Sequence, residues 1–302
     1  MSNDKCREIM DYEKFVSIVR DAADLGAKTI CLSGGEPFLH NMITEMVEFV
    51  ASLGLQTYIY TSGIVFDDNK QRTSLDIGIL KIISSKNTKL IFNIEAATAD
   101  TYNRVMGIAG CFEKLKQSIH YAHSFAITTE AHFVPMKPNI GEIRDVVALC
   151  QDLSVSKLSF LRLVLHGRAQ INENQIALSK QELLQVKILL KELKKEGKID
   201  IRVGIPLSIN ATCHKCEAAS GKLNIKYDGN VFPCEVFKNN CAAHCLNGTK
   251  TESVQVKSLM DIYHKSEYLQ LVRDLSQKFS SKRQCETCVG QYLINNRGAF
   301  DE

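Results

Sequence analysis

No apolar run in the chain approaches the roughly 18 residues that a membrane-spanning helix needs, so no helical anchor is expected within these residues. Charge imbalance is also missing. The 37 Lys and Arg against 34 Asp and Glu leave +3 over 302 residues, too little for the electrostatic footprint of a nucleic-acid binder. The basic run 191–198 (KELKKEGK) alternates Lys with Glu and reads as a solvated helix face. The opening MSNDKCREIMDYEK is polar, unlike the apolar core of a secretory signal. There is no internal repeat and no low-complexity tract. These absences lead to the expectation of a cytoplasmic globular protein, long enough for one large domain or one domain plus a smaller one.

Cysteine breaks the ordinary pattern. Eleven cysteines without a secretory signal argue against a disulfide scaffold and for a reducing compartment. Seven of them, from Cys213 to Cys288, crowd into the last third. The others, Cys6, Cys31, Cys111 and Cys150, share no spacing and read as isolated thiols.

Strand and helix patterns alternate over the first two thirds. Helices are expected at 12–25, 43–53, 77–83, 112–123, 143–153 and 180–195, and strands at 29–32, 57–60, 89–94, 126–134, 158–165 and 199–203. Strands separated by helices imply βαβ units and a parallel sheet. The series opens on a helix, as though the strand of its pair were missing. After Pro206 the pattern changes to a cysteine-bearing segment with a turn at Asp228-Gly229 between apolar runs, a hairpin signal. A helix is expected at 259–275, then a tail with Cys285-x-x-Cys288. The division is placed at 1–205 and 206–302.

The sharpest motif is Ser33-Gly34-Gly35-Glu36-Pro37, directly after the first strand. Paired glycines allow a tight turn and close approach of a ligand. A carboxylate at the C-terminal end of a parallel strand lies on the face where such sheets bind ligands. Further along come Tyr60-Thr61-Ser62-Gly63, FNIEAATADTYNRVMG from Phe92, and LRLVLHGRA from Leu161. In this order, these segments resemble the radical S-adenosylmethionine (SAM) superfamily. The resemblance implies an α/β fold, a partial (β/α)6 TIM-like barrel missing its first strand. Gly34, Gly35 and Glu36 would hold the SAM amino group, with Thr61 and Ser62 lining the pocket. Asn93 and Glu95, standing where the family usually has Ser and Asp, would reach the methionine carboxylate or ribose. Arg104 is a candidate for that carboxylate or a surface residue.

The family's Cys-x3-Cys-x2-Cys, which holds the SAM-binding [4Fe–4S] cluster, does not occur in the sequence. Three thiolates are needed, and only Cys6 precedes the first helix. The missing strand and the missing motif would both lie before Met1, so the expectation is an N-terminally truncated form or a genuine remnant.

The C-terminal segment CEAASGKLNIKYDGNVFPCEVFK followed by Cys285-x-x-Cys288 resembles the SPASM/twitch domains of the same superfamily. This implies a small α+β cysteine-rich domain with an auxiliary [4Fe–4S] cluster on Cys216, Cys234, Cys285 and Cys288, Cys213 being the competing ligand. Spacing alone also suits a four-cysteine zinc site.

The leading expectation is therefore a radical SAM enzyme modifying a peptide or small metabolite, served by an electron donor such as flavodoxin or ferredoxin. The alternative is a non-catalytic iron–sulfur or zinc protein acting through binding. No catalytic acid or base can be named, and enzymatic activity of this chain by itself is left open.

Overall fold

The computed structural model describes residues 9–165, 168–204, 207–208, 216–238, 245–246 and 248–280. Two compact units are present: residues 28–209 with the first three residues, and residues 4–27 with 210–302. Helix α1 (Tyr12–Asp24) thus belongs to the second unit.

The first unit runs β1 (Thr29–Leu32), α2 (Ile43–Ser52), β2 (Gln56–Thr61), β3 (Ile64–Phe66), β4 (Arg72–Ser74), α3 (Ile77–Ile83), β5 (Thr88–Asn93), α4 (Ala99–Met106), α5 (Phe112–Ser124), β6 (Thr128–Phe133), α6 (Ile143–Asp152), β7 (Lys157–Phe160), α7 (Arg168–Ile171), α8 (Glu173–Ile176), α9 (Lys180–Glu196) and β8 (Asp200–Val203). Six strands form one sheet in the order β1-β2-β5-β6-β7-β8, and every adjacent pair is parallel. Each crossover contains a helix, as parallel neighbours require.

Alternation along the strands divides this sheet into two chemical faces. Thr57, Ile59 and Thr61 are buried on β2, while Gln56, Tyr58 and Tyr60 between them are partly exposed. On the buried face, Ile59, Leu90, Phe92, Ala131, Leu158 and Phe160 share one apolar core with Val47, Leu80, Ile119, Val146 and Leu190 from the helices. Burying each large side chain is worth about 1.5–3 kcal/mol. The opposite face carries Lys89, Asn93, Glu130, His132, Lys157 and Arg202.

Helix boundaries follow local chemistry. Ser179 and Glu182 make a reciprocal capping box at the start of α9, and Gly197 ends it in the left-handed region. The strand expected at 158–165 stops at Phe160. The β3–β4 hairpin was not foreseen, because its strands are only three residues each.

In the second unit, β9 (Asn224–Ile225), β10 (Asn230–Phe232) and β13 (Glu252–Ser253) form a three-stranded sheet, with β11 (Cys245–Leu246) paired to β12 (Thr249–Lys250). The β9–β10 hairpin turns at Asp228-Gly229, where the Asp228 carboxylate accepts from Asn230 N at 3.0 Å. The helix expected at 259–275 is two helices, α10 (Leu259–Lys265) and α11 (Glu267–Ser280). They are broken at Ser266, whose ψ of 117° is extended. Phe15, Ile18 and Val19 are the buried residues of α1, and Ile18 joins the apolar cluster of Val231, Phe232, Phe237, Ile262 and Val272. Lys14 Nζ donates to the Val254 carbonyl at 3.0 Å, and the Asp21 carboxylate accepts from Met260 N at 3.2 Å. Among the described residues no helix is long and apolar enough to cross a membrane.

Gly63 is closely enclosed within the sheet unit. Its φ is +72°, and an added Cβ would stand 3.0 Å from the Phe92 ring and 3.1 Å from Leu115. Gly63→Ala should therefore destabilise the fold by about 2–4 kcal/mol, measured by denaturant unfolding. A change within about 0.5 kcal/mol would show that this turn relaxes freely.

Candidate functional site

The turn after β1 opens backbone to solvent. Gly34 and Gly35 are exposed with open space where a side chain would stand, and Gly34 has φ +148°. Pro37 then starts a short 3-10 turn capped by Glu36, which fixes the carboxylate at the C-terminal end of the strand.

Glu36 is held chiefly from the next strand. Its Oε1 accepts from the Thr61 hydroxyl at 2.7 Å, and its Oε2 from Ser62 N at 2.8 Å and the Ser62 hydroxyl at 2.5 Å. Phe38 N adds a long contact of 3.4 Å. Thr61 also accepts from Gly63 N at 2.9 Å, so the turn that follows β2 is wired to the carboxylate. Burial raises the Glu36 pKa, against the lowering effect of the Ser62 and Thr61 hydrogen bonds. Three of the expected site residues, Glu36, Thr61 and Ser62, are thus one hydrogen-bonded group.

Asn93 and Glu95 lie at the end of β5. Asn93 is in register with His132, on the polar face. Glu95 Oε2 accepts from Val134 N at 3.2 Å, and burial pushes its carboxyl up to about 7. The Tyr102 phenol connects the two carboxylates electrostatically. Burial raises its pKa first, and the charges of Cys111, Glu95 and Glu36 raise it further. Its hydroxyl is buried and has no hydrogen-bond partner among the described residues.

Two positioning residues gave no signal in the sequence. Asn139, 1% exposed, donates to the Glu95 and Val134 carbonyls at 3.0 Å each and accepts from Met136 N at 2.7 Å. Glu142 accepts from Ala97 N, Thr98 N and the Thr98 hydroxyl, clamping the start of α4. Arg104 is exposed and donates to the Pro138 carbonyl at 3.0 Å and Thr101 Oγ1 at 3.3 Å. It ties loops together in this structure.

In the second unit, buried Cys234 and partly exposed Cys216 belong to the same apolar cluster. Ala219 N donates to the Pro233 carbonyl at 2.8 Å, joining the segment after Cys216 to the residue before Cys234. Cys213, Cys285 and Cys288 lie outside the described residues. Among the described residues, no three His, Cys, Asp or Glu gather as a metal site.

Comparison with known proteins decides the family. Residues 2–150 match the radical SAM superfamily model, and residues 216–289 match that of an iron–sulfur cluster-binding domain. The chain belongs to the radical SAM superfamily. It is 24% identical over 266 residues to the PqqA peptide cyclase of Rhizobium meliloti strain 1021, covering 87% of this chain and 67% of that protein. Its fold is similar to Streptococcus suis SuiB solved with S-adenosylmethionine, at TM-score 0.71 and 14% identity, covering 90% of this chain. SuiB bound to the precursor peptide SuiA gives the same TM-score at 15% identity, also over 90% of this chain. The chain spans 63% and 62% of the length of those two SuiB chains, less than two thirds. The six-stranded parallel sheet with its helices is the partial (β/α)6 barrel of this α/β superfamily. The matched 216–289 segment includes all four expected cluster cysteines.

Glu95 makes the site pH-sensitive. The fold holds its proton more tightly than the unfolded chain does, so stability falls as pH rises from about 4.5 through about 7. Glu95→Gln removes that slope. Relative to the parent, it should gain on the order of 2 kcal/mol between about pH 5 and about pH 8, read from denaturant unfolding across that range. A parallel offset at all pH values would mean that Glu95 is already ionised in the fold.

Proposed function

We propose that this chain is the SAM-amino-group and auxiliary-cluster part of a radical SAM enzyme that modifies a peptide. The Glu36 carboxylate, fixed beside the open Gly34-Gly35 backbone, carries this reading. The relatives named as a peptide cyclase and as a protein bound to a precursor peptide favour a peptide over a small metabolite as substrate.

The residues present fit the ammonium end of SAM. Both Glu36 oxygens already accept protein donors, but the Ser62 hydroxyl has a second acceptor in the Ile64 carbonyl at 3.3 Å. Rotating that hydroxyl frees a carboxylate lone pair for an ammonium, while Thr61 and Ser62 N keep the carboxylate in place. The charge-assisted bond so formed is stronger than a neutral one. Gly34 and Gly35, without side chains, let the methionine part approach the backbone. Asn93 and Glu95 stand at the same strand ends, offering an amide and a carboxyl to the polar remainder of the ligand.

When bound to a reduced [4Fe–4S] cluster, SAM supplies a 5′-deoxyadenosyl radical. These 302 residues include no Cys-x3-Cys-x2-Cys, so they do not by themselves provide the three thiolates for that cluster. In the second unit Cys216, Cys234, Cys285 and Cys288 would hold an auxiliary [4Fe–4S] cluster. Burial of Cys234 suits a site shielded from water. An electron donor of the flavodoxin or ferredoxin class completes the proposed partners. The competing zinc reading rests on the same four thiolates.

Two measurements test this. Glu36→Gln should weaken equilibrium SAM binding roughly 10- to 100-fold, the loss of a charge-assisted hydrogen bond, without lowering the melting temperature. Unchanged binding would remove Glu36 from the site. After anaerobic purification, about four irons and four sulfides per chain are expected for one auxiliary cluster, lost in Cys234→Ser. One zinc in their place would reject the cluster.

A further inference from the structure

The polar face of the sheet holds a set of ionisable groups that the SAM-binding residues do not use. All-parallel sheets are ordinarily apolar on both faces. Here Asn93, His132, Ser159 and Arg202 stand in one register row across β5, β6, β7 and β8. Tyr60 of β2 lies beside this row, its ring centroid 5.5 Å from that of His132. Tyr60 is four strands from β8, about 19 Å along a flat sheet. Yet the Arg202 guanidinium acts on both the Tyr60 phenol and the His132 ring. By strand register Tyr60 and Arg202 project from the same face, opposite the one the helices cover, and this is the inner wall of the partial barrel.

Charge on this surface is unbalanced in one place. The Glu130 carboxylate is 2.7 Å from Lys89 Nζ and 3.9 Å from Lys157 Nζ, and Lys157 is also 3.3 Å from Asp200. These pairs neutralise the lower part of the face. Arg202 is exposed and has no ion-pair partner among the described residues. The Glu130 carboxylate also acts on Tyr60 and His132, but it is itself paired with Lys89. Burial, then Arg202, pushes His132 down to about 4, and burial holds the Tyr60 phenol protonated. One guanidinium with a phenol and an imidazole beside it offers one positive charge and several N–H and O–H donors. Planar bidentate recognition by Arg suits a carboxylate.

We propose that Arg202, with Tyr60 and His132 beside it on the concave polar face of the sheet, takes an acidic side chain of the peptide substrate. The proposal rests on the peptide-modifying reading and assigns its substrate an acidic residue. The carboxylate of SAM is a less suitable occupant. Its ammonium is expected at Glu36, whose own partners are Ser62, Thr61 and Phe38, whereas Arg202 acts on Tyr60 and His132.

Cys31 supplies a reporter for this surface. It is exposed and stands in register with Tyr58, on the same sheet face as Tyr60. It is also the one cysteine between Lys28 and Lys70, so proteolytic fragments resolve its modification by mass spectrometry.

The test uses the full chain and two disulfide reagents, anionic 5,5′-dithiobis(2-nitrobenzoate) and neutral 2,2′-dithiodipyridine. The ratio of their rates at Cys31 should fall about fivefold in Arg202→Gln, the loss of roughly 1 kcal/mol of attraction at a partly exposed site. Arg202→Lys should keep most of the preference. An acetylated Gly-Glu-Gly-Glu-Gly peptide should slow Cys31 modification at least threefold more than its Gln counterpart, and Arg202→Gln should abolish that difference. Equal protection by both peptides, or a rate ratio indifferent to Arg202, would overturn the assignment. Protection by SAM that depends on Arg202 would also overturn it, giving the residue to the methionine carboxylate. Glu36→Gln separates the two ideas: peptide protection should survive it even where SAM binding is lost. No step of the assay needs a cluster or turnover.

Discussion

Side chains on successive strand residues point to opposite faces, and in this sheet that alternation carries two kinds of chemistry. One face must be apolar because helices α2 to α6 and α9 have no other core in which to bury Val47, Leu80, Ile119, Val146 and Leu190. The other then becomes available for polar groups without cost to that core. A one-residue slip of any strand would exchange the faces, placing lysine and histidine among the phenylalanines. Parallel pairing with helical crossovers holds the register, and so also positions the polar row from Asn93 to Arg202.

The same geometry explains why the carboxylates sit where they do. Glu36 and Glu95 follow the last residues of β1 and β5, at the strand ends where backbone leaves the sheet and donors become free. Ser62 N is such a donor for Glu36, and Val134 N for Glu95. Each carboxylate is therefore fastened to the turn of a neighbouring strand rather than to its own. Two separate βα turns are locked together at each site, a rigid arrangement suited to holding a ligand in one orientation. Burial raises both pKa values, so a cationic partner would favour the ionised form and be favoured by it.

The sequence was most legible where the local pattern and the tertiary demand coincide. The six sheet strands were all expected, since each is a short apolar or alternating run between helical segments. Glu36, Thr61 and Ser62 were singled out from separate motifs as candidate ligand contacts, and the fold joins the three by hydrogen bonds. Other features left no local trace. Asn139 and Glu142 act by bonding to turns 44 and 45 residues earlier, and a lone Asn or Glu in a loop gives no sign of such a partner. The 259–275 periodicity is continuous across Ser266, yet the chain bends there because the Ser266 hydroxyl accepts from Leu269 N at 3.3 Å and starts a new helix. The polar face was written in the sequence as Tyr58 and Tyr60, Glu130 and His132. The local pattern marked these segments as strands and did not say which parity faces the helices.

That last difference matters for how function is placed on this scaffold. A solvated sheet face would have its charges spread and paired, as Lys89, Glu130, Lys157 and Asp200 are. Arg202, exposed and outside those ion pairs, leaves the wall with an excess of positive charge that favours an anion. The apolar face, the strand-end carboxylates and this unmatched cation all follow from one register. Changing the side chains on the polar parity alters what is recognised while leaving the buried parity, and hence the fold, untouched. This separation lets one α/β scaffold keep its core while the groups at its strand ends and along its inner wall vary.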